Sequence, residues 1–513
     1  MIKSNGGIIG PDNVTTGGAF GTASGVFKLG EVTDLIRESK WPTEGPPTTV
    51  ANSCRFTNGS SDNLTLSGSS GGSTTKFTRS FWLKKSTLTV QQYLMDNSGE
   101  TQIFFKLNAN DTVTLGIFAS SAYSTELVGN ANLMRDPSAW YHIVIAVDYT
   151  NATQAYRARI YINNSEVTSF STSTRPGNTS TTFDTFNSSK THYISGNSGG
   201  SHCFGGYLAE VVHIDGQQLT PSSFAETNSD SGIWVPKPIT GLNFGTKGFY
   251  LDFEDSSALG NDVSGNNLDY TANNLTSVDQ STDTPNNNFC VQNSAATSIS
   301  GAPSFTSGNL TIGSGSGWKT TIGTFALTSG KWYWENKGSG SAGTLIYGIA
   351  STAVIDAGGA SSGLNNDATI GVNLPAYGYH GSSGSMYYSN TSGNSQGRST
   401  WGTAYNSGDL ISVYLDLDNN KLYMAKNDAL QVSGVGYDIQ AGYSYYPMTV
   451  PYDNTLNMNY GIGSFGTTAV SSAVADTHGF GAFEYSPNRG GAAVFDGEAK
   501  NFLALCTNNL NSI

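Results

Sequence analysis

The sequence predicts an all-β protein, two antiparallel β-sandwiches in tandem behind an N-terminal anchoring arm. Three observations carry this expectation. Apolar and polar residues alternate in short runs, the two-residue period of a half-buried strand. Between the runs stand clusters of Gly, Asn and Ser, the residues that tolerate turn geometry. The composition fits as well: 62 Gly, 26 Tyr, 24 Phe and 8 Trp among 513 residues, with only 12% charged. A hydrophobic content of 37% and little charge would also suit a disordered chain, but such chains lack aromatic and β-branched residues. At this length several domains are expected rather than one core.

Residues 1–50 are Gly-rich apart from one helical pattern, GEVTDLIRESKWP. There Val32, Leu35, Ile36 and Trp41 form an apolar stripe that Pro42 ends. A short helix on such an arm cannot bury its stripe alone, so these four are candidate anchors to the following domain or to another subunit. Residues 51–235 read as strand after strand. In QIFFKLNANDTVTLGIF, Ile103, Phe105 and Leu107 alternate with polar neighbours, a turn falls at Asn108 to Asp111, and Val113, Leu115 and Ile117 alternate again. That is a hairpin with one face buried. WYHIVIAVDYT and RARIYINNSEV form a second pair. Residues 236–305 read as an ordered, irregular linker held by Leu268, Tyr270, Leu275 and Phe289. Strands resume over 306–468, and 469–513 is a C-terminal extension with apolar spots.

Charge and motifs exclude several classes. A net charge of −13, with no basic run, argues against nucleic-acid binding, which needs clustered Lys and Arg. No apolar stretch approaches the roughly 20 residues of a membrane helix, and the N-terminal residues lack the pattern of a secretory signal. Cys54, Cys203, Cys290 and Cys506 show no paired spacing and read as free, partly buried thiols of a chain made in a reducing compartment.

Two stretches resemble known families. SFWLKK, WYHIVIAVD, RIYINNSEV and GYLAEVVHIDGQQLTPSSFAE, in that order, resemble the laminin-G-like, concanavalin-type jelly roll. GKWYWENK, YGIA, GDLISVYLDLDNNKLYMAKND and YYPMTVPYDNTLNMNYG resemble a SPRY domain, also a β-sandwich. The opening IKSNGGIIGP, the segment ending in WP, the jelly roll, then GFYLDFED, SGNNLDYTANN, DTPNNNF and the SPRY-like region together resemble virion structural proteins of marine tailed phages. That resemblance implies a tail fibre or fibre-like appendage presenting recognition domains to a host-surface glycan or protein. A capsid decoration protein is the rival. The resemblance implies a virion-surface location after synthesis in the host cytoplasm, contacts with other virion proteins through the anchor residues Val32, Leu35, Ile36 and Trp41, and a symmetric homo-oligomer, a trimer by analogy with fibres.

The chemistry expected of the chain is binding rather than catalysis. Concanavalin-type glucanases carry closely spaced carboxylates on one strand face. The nearest candidates here, Glu210 and Asp215, are five apart, so alternation separates them. His142, His192, His202, His213, His380 and His478 show no metal-ligand spacing, and no cofactor is expected. For a rim Ca²⁺, Asp96, Asn97, Asp111 and Asp148 lie in or near turns but match no binding-loop motif, so solvated turns are the preferred reading. The densest aromatic stretch, PAYGYHGSSGSMYYSN, reads as a loop. Its Tyr377, Tyr379, Tyr387 and Tyr388, with Trp401, are candidates for recognition or subunit contact.

Overall fold

The computed structural model describes residues 50–68, 71–97, 102–119, 122–131, 134–183, 190–229, 231–296, 303–313, 318–340, 345–351, 375–389 and 396–510. The arm and its stripe of Val32, Leu35, Ile36 and Trp41 lie outside these residues. The chain divides into two units at Asn288/Phe289, with Ser86–Leu88 joining the second.

The first unit contains strands β1 (Ser53–Phe56), β2 (Asn63–Ser67), β3 (Lys76–Lys85), β4 (Gln92–Asn97), β5 (Ile103–Leu107), β6 (Val113–Ala119), β7 (Ala122–Gly129), β8 (Trp140–Asp148) and β9 (Ala158–Ile162). It continues with β10 (Ser165–Glu166), β11 (Phe170–Thr174), β12 (Thr191–Ile194), β13 (Gly206–Asp215), β14 (Ala225–Thr227), β15 (Trp234–Pro236), β16 (Phe249–Leu251), β17 (Thr271–Asn273) and β18 (Gln280–Ser281). One sheet runs β10-β9-β8-β3-β13-β1-β18, with β16 also on β13. The facing sheet runs β11-β7-β6-β5-β4-β12-β2-β17.

The hairpin expected from alternation is β5–β6. Its register pairs Ile103 with Ile117, Phe105 with Leu115 and Leu107 with Val113. All six belong to the core between the sheets, where Phe105 meets Phe81 edge-on, centroids 6.0 Å apart. Each such side chain contributes about 1.5–3 kcal/mol by leaving water. At the turn, Asp111 takes a left-handed φ of 60°, which Asn and Asp tolerate better than most residues.

Of the segment read as a linker, residues 236–288 are structurally part of this first sandwich, and the rest belongs to the second unit. β16, β17 and β18 extend both sheets, and Leu259, Leu268 and Tyr270 enter the core. Sparse anchors suffice because existing sheet edges supply the backbone hydrogen bonds. Over the outer face of the first sheet, Leu219, Ile239, Leu242, Phe244 and Tyr250 cover Val144, Ala146, Val212 and Ile214.

The second unit has β19 (Ser304–Thr306), β20 (Thr311–Gly313), β21 (Thr321–Ile322), β22 (Lys331–Gly340), β23 (Leu345–Ser351), β24 (Ala376–His380), β25 (Ser385–Ser389), β26 (Gln396–Thr400) and β27 (Leu410–Asp416). Then follow β28 (Lys421–Lys426), β29 (Ala429–Leu430), β30 (Tyr437–Asp438), β31 (Tyr445–Pro451), β32 (Asn454–Asn459), β33 (Ser464–Phe465), β34 (Thr468–Ala469) and β35 (Leu503–Ala504). Its sheets are β19-β20-β32-β22-β27-β28-β29 and β21-β31-β23-β24-β25-β26. The Asp-Asn turn read from the sequence joins β27 to β28, with Asn420 at φ 53° and the Asn419 N–H donating to Asp416 Oδ1 at 3.1 Å. The C-terminal extension packs into this unit: β35 pairs in parallel with β22, and Phe483, Phe495 and Phe502 are fully buried.

Candidate functional site

The alternation that sends Phe105 inward sends its neighbours Phe104 and Lys106 to the outer face of the second sheet of the first unit. There β5, β6, β7 and β11, with the β5–β6 turn, line a groove of about 400 Å³. Its floor is aromatic. Phe104 lies over Gly116 on the adjacent strand, where a Cβ would stand 2.3 Å from the ring; only glycine leaves the room. Tyr93 and Tyr123 flank Phe104 with centroids at 5.7 and 6.4 Å, and Phe118 braces Tyr123 at 4.0 Å. Tyr123 remains 39% exposed.

Polar groups surround this floor. The Lys106 ammonium sits 5.5 Å from the centroids of both Tyr93 and Phe104. Partial burial pulls its pKa down, and the Glu126 carboxylate partly restores it. Asn108 Nδ2 donates to Thr112 Oγ1 and Thr114 Oγ1, each at 2.8 Å, so the amide is held in place. Asn110, Asn130 and Ser171 complete the rim. Phe104 is itself only 4% exposed, so the Tyr123 ring is the stacking surface, beside amides and one carboxylate that offer directional hydrogen bonds. The alternation contained a signal for this site: Phe104 is a large apolar residue at an outward position, faced by a glycine across the hairpin.

The tyrosines expected in a loop are not in one. Tyr377 and Tyr379 lie on β24, and Tyr387 and Tyr388 on β25, paired as Tyr377↔Tyr388 and Tyr379↔Met386. Tyr377, Tyr379 and Tyr387 are buried, Tyr379 completely. Tyr388 is half-buried, as is Trp401, which follows β26 and meets Tyr379 edge-on at 5.5 Å. The reading as an exposed loop is thereby corrected. Gly and Ser among the tyrosines mimic a loop composition, yet small residues on a strand also let neighbouring rings pack.

The turn acids are engaged by protein donors. Asp111, only 1% exposed, pairs with Lys85 and with Arg135 at 3.3 Å, and accepts the Thr89 N–H at 2.9 Å. Asp96 accepts from Gln102 at 2.6 Å and the Ser198 N–H at 3.0 Å. Asn97 caps the Ile103 N–H. Asp148 accepts from Thr150 and pairs with Lys76 at 3.1 Å. Asp96, Asn97 and Asp111 are therefore buried structural caps, not solvated turn residues. Among the described residues no group of three or more His, Cys, Asp or Glu is arranged to hold a metal.

His142 is a structural residue. It stacks on Trp82 at 4.7 Å, its Nδ1 accepts Trp234 Nε1–H at 3.0 Å and its Nε2 lies 2.8 Å from Ser80 Oγ. The indole N–H fixes the proton on Nε2, so the ring donates to Ser80 and cannot activate it as a nucleophile. Burial holds its pKa down at about 3.

Glu210 and Asp215 share no partner. Asp215 accepts the Ser73 N–H at 2.6 Å and Thr246 Oγ1–H at 3.0 Å. Glu210 sits in a β-bulge at φ 52° and accepts Tyr250 O–H at 2.8 Å. Burial pushes its carboxyl up to about 8. The folded state therefore binds a proton that the unfolded chain releases near pH 4.5. Stability should fall as pH rises from about 4.5 to 8 and then level off. Thermal melts of Glu210→Gln should lose this slope and exceed wild type at pH 8; an unchanged slope would assign it elsewhere.

Residues 58–223 match the family described as the concanavalin A-like lectin/glucanases superfamily, Laminin_G_3. Comparison with curated proteins finds no match. Among solved structures, the chain is similar to the SPRY domain of human HERC1 (15% identity, TM-score 0.22, covering 29% of this chain and 87% of that one). It is also similar to the heptameric SAP-like pentraxin from Limulus polyphemus (13%, TM-score 0.26, 34% and 80%). A third similarity is to domains LG4-5 of the mouse laminin alpha1 chain (10%, TM-score 0.28, 82% and 85%).

Proposed function

We propose that this chain is a non-enzymatic surface protein of a bacteriophage particle, a tail fibre or fibre-like appendage, whose first sandwich binds a host-surface glycan. The observation that carries the reading is the groove floored by Phe104 and Tyr123 and rimmed by Asn108, Asn110, Glu126 and Asn130. Sugar rings present C–H faces to aromatics and hydroxyls to amides and carboxylates, which is the pairing this groove offers. Glu126 is the one carboxylate among the described groove residues, whereas glycoside hydrolysis generally requires two. The lectin-type sandwich over 58–223 supports a binding role, and the order of the sequence motifs supports the particle. Residues 1–50 then serve as the attachment to other virion proteins, and the copies assemble as a symmetric homo-oligomer.

The test is glycan-array screening of the full chain, followed by calorimetry on a hit. Tyr123→Ala should weaken binding at least about tenfold, the loss of roughly 1.4 kcal/mol of stacking. Glu126→Gln should shift selectivity among hydroxyl patterns. An array without a hit, or variants that bind as wild type, would refute the groove. Cryo-electron reconstruction of the particle would separate a tail position from a capsid position.

A further inference from the structure

The stretch DTPNNNF, part of the motif order but unused by the groove, builds a buried reactive cluster at the end of the first unit. Thr284 and Asn287 exchange backbone hydrogen bonds at 3.1 Å in both directions, closing a tight turn with Pro285 at its first corner, where proline is favoured. The turn brings Asp283 and Asn288 side by side over Lys84 of β3. Lys84 Nζ donates to Asp283 Oδ2 and to Asn288 Oδ1, each at 2.7 Å. Asp283 Oδ1 accepts Trp140 Nε1–H at 3.1 Å, and Asn288 Nδ2 donates to the Ser138 carbonyl at 2.6 Å. The Tyr207 ring lies 5.7 Å from the ammonium. Lys84 is 1% exposed, Asp283 0% and Asn288 2%.

We propose that Lys84 and Asn288 form an intramolecular isopeptide bond, with Asp283 as the proton carrier. The amine lies 2.7 Å from the carboxamide oxygen, whose carbon it would attack, and is held by a carboxyl that is itself oriented by an indole. The Lys84 proton passes to Asp283, leaving a neutral amine. Its lone pair attacks Asn288 Cγ, and Asp283 hydrogen-bonds the developing oxyanion and relays a proton from Nζ to the departing nitrogen. The Cγ–Nδ2 bond breaks, an Nζ–Cγ bond forms, ammonia leaves, and Asp283 ends protonated. No oxidant or cofactor enters.

The neighbouring pair, Lys85 with Asp111, provides a contrast. Asp111 also pairs with the Arg135 guanidinium at 3.3 Å and offers no carboxamide to attack. The staple would close a loop spanning 204 positions. Closing so long a loop restricts the unfolded chain, as a disulfide does. This inference is independent of the glycan reading.

The experiment is mass spectrometry of the denatured full chain and its tryptic digest. A protein lighter by one ammonia, about 17 Da, is expected. So is a branched peptide joining the Lys84 segment to the Asn288 segment, with no cleavage after Lys84. Lys84→Arg and Asn288→Ala should each restore the full mass, and Asp283→Asn should lose most of the branched peptide. Wild-type protein at full mass would overturn the proposal whether or not the variants fold. So would the same mass loss mapped to a succinimide without a branched peptide.

Discussion

Urea denaturation of Tyr379→Ser is expected to show the second sandwich destabilised by about 3–5 kcal/mol, the range for emptying a buried aromatic site. Tyr379 is fully buried, packed against Tyr405 at 4.8 Å and edge-on to Trp401 at 5.5 Å. Its hydroxyl donates to the Thr403 carbonyl and lies 3.2 Å from Gln431 Oε1. The single Tyr405 O–H is shared between the carbonyls of Leu345 at 2.9 Å and Tyr379 at 2.7 Å. Serine therefore leaves a void and strips ring contacts from a network that ties β24 to the segment after β26. Tyr388→Ser, at a half-buried position, is the control and should cost about 1 kcal/mol, the middle of the range for ordinary substitutions. If Tyr379→Ser keeps its midpoint and loses only adsorption or subunit contact, the tyrosines are a contact surface after all.

A chain ending at Val470 is expected to lose cooperative folding of the second sandwich. The removed segment carries Phe483, Phe495 and Phe502, all fully buried. Phe483 meets Tyr333 at 4.8 Å, and Phe495 and Phe502 meet Tyr414 at 4.9 and 5.1 Å. Three such rings represent about 5–9 kcal/mol of burial, comparable with the whole stability of a typical domain. Two buried carboxyl groups also lose partners. Lys500 Nζ reaches the buried Asp416 Oδ2 at 2.9 Å. The buried Glu335 accepts backbone N–H groups of Glu484 at 3.0 Å and Tyr485 at 2.8 Å. The truncated protein should show only the first unit's unfolding transition by calorimetry and should bind dyes that report exposed apolar surface. Retention of both transitions would show that the extension is dispensable.

The sequence by itself determined the strands, their inward faces and several turns. Alternation over Ile103–Leu107 and Val113–Ile117 names the core side of each strand because successive side chains point to opposite faces. Asn and Asp mark the β5–β6 and β27–β28 turns because they tolerate left-handed backbone. The odd spacing of Glu210 and Asp215 did not by itself separate them, because the β-bulge at Glu210 breaks the alternation between the two. Tertiary structure alone decided what covers each remaining face. The period of two is the same whether the outward residues meet water, another segment or a ligand. Thus Tyr379 reads as a loop residue until β24 and β25 pair and Trp401 closes over it. Phe104 becomes a groove floor only because β6 places Gly116 beside it. Segments 236–288 and 469–513 have too few apolar residues to announce a core of their own. They need few, because each docks on a face and edge already built by strands far away in the chain, as Asp283 and Asn288 do on Lys84.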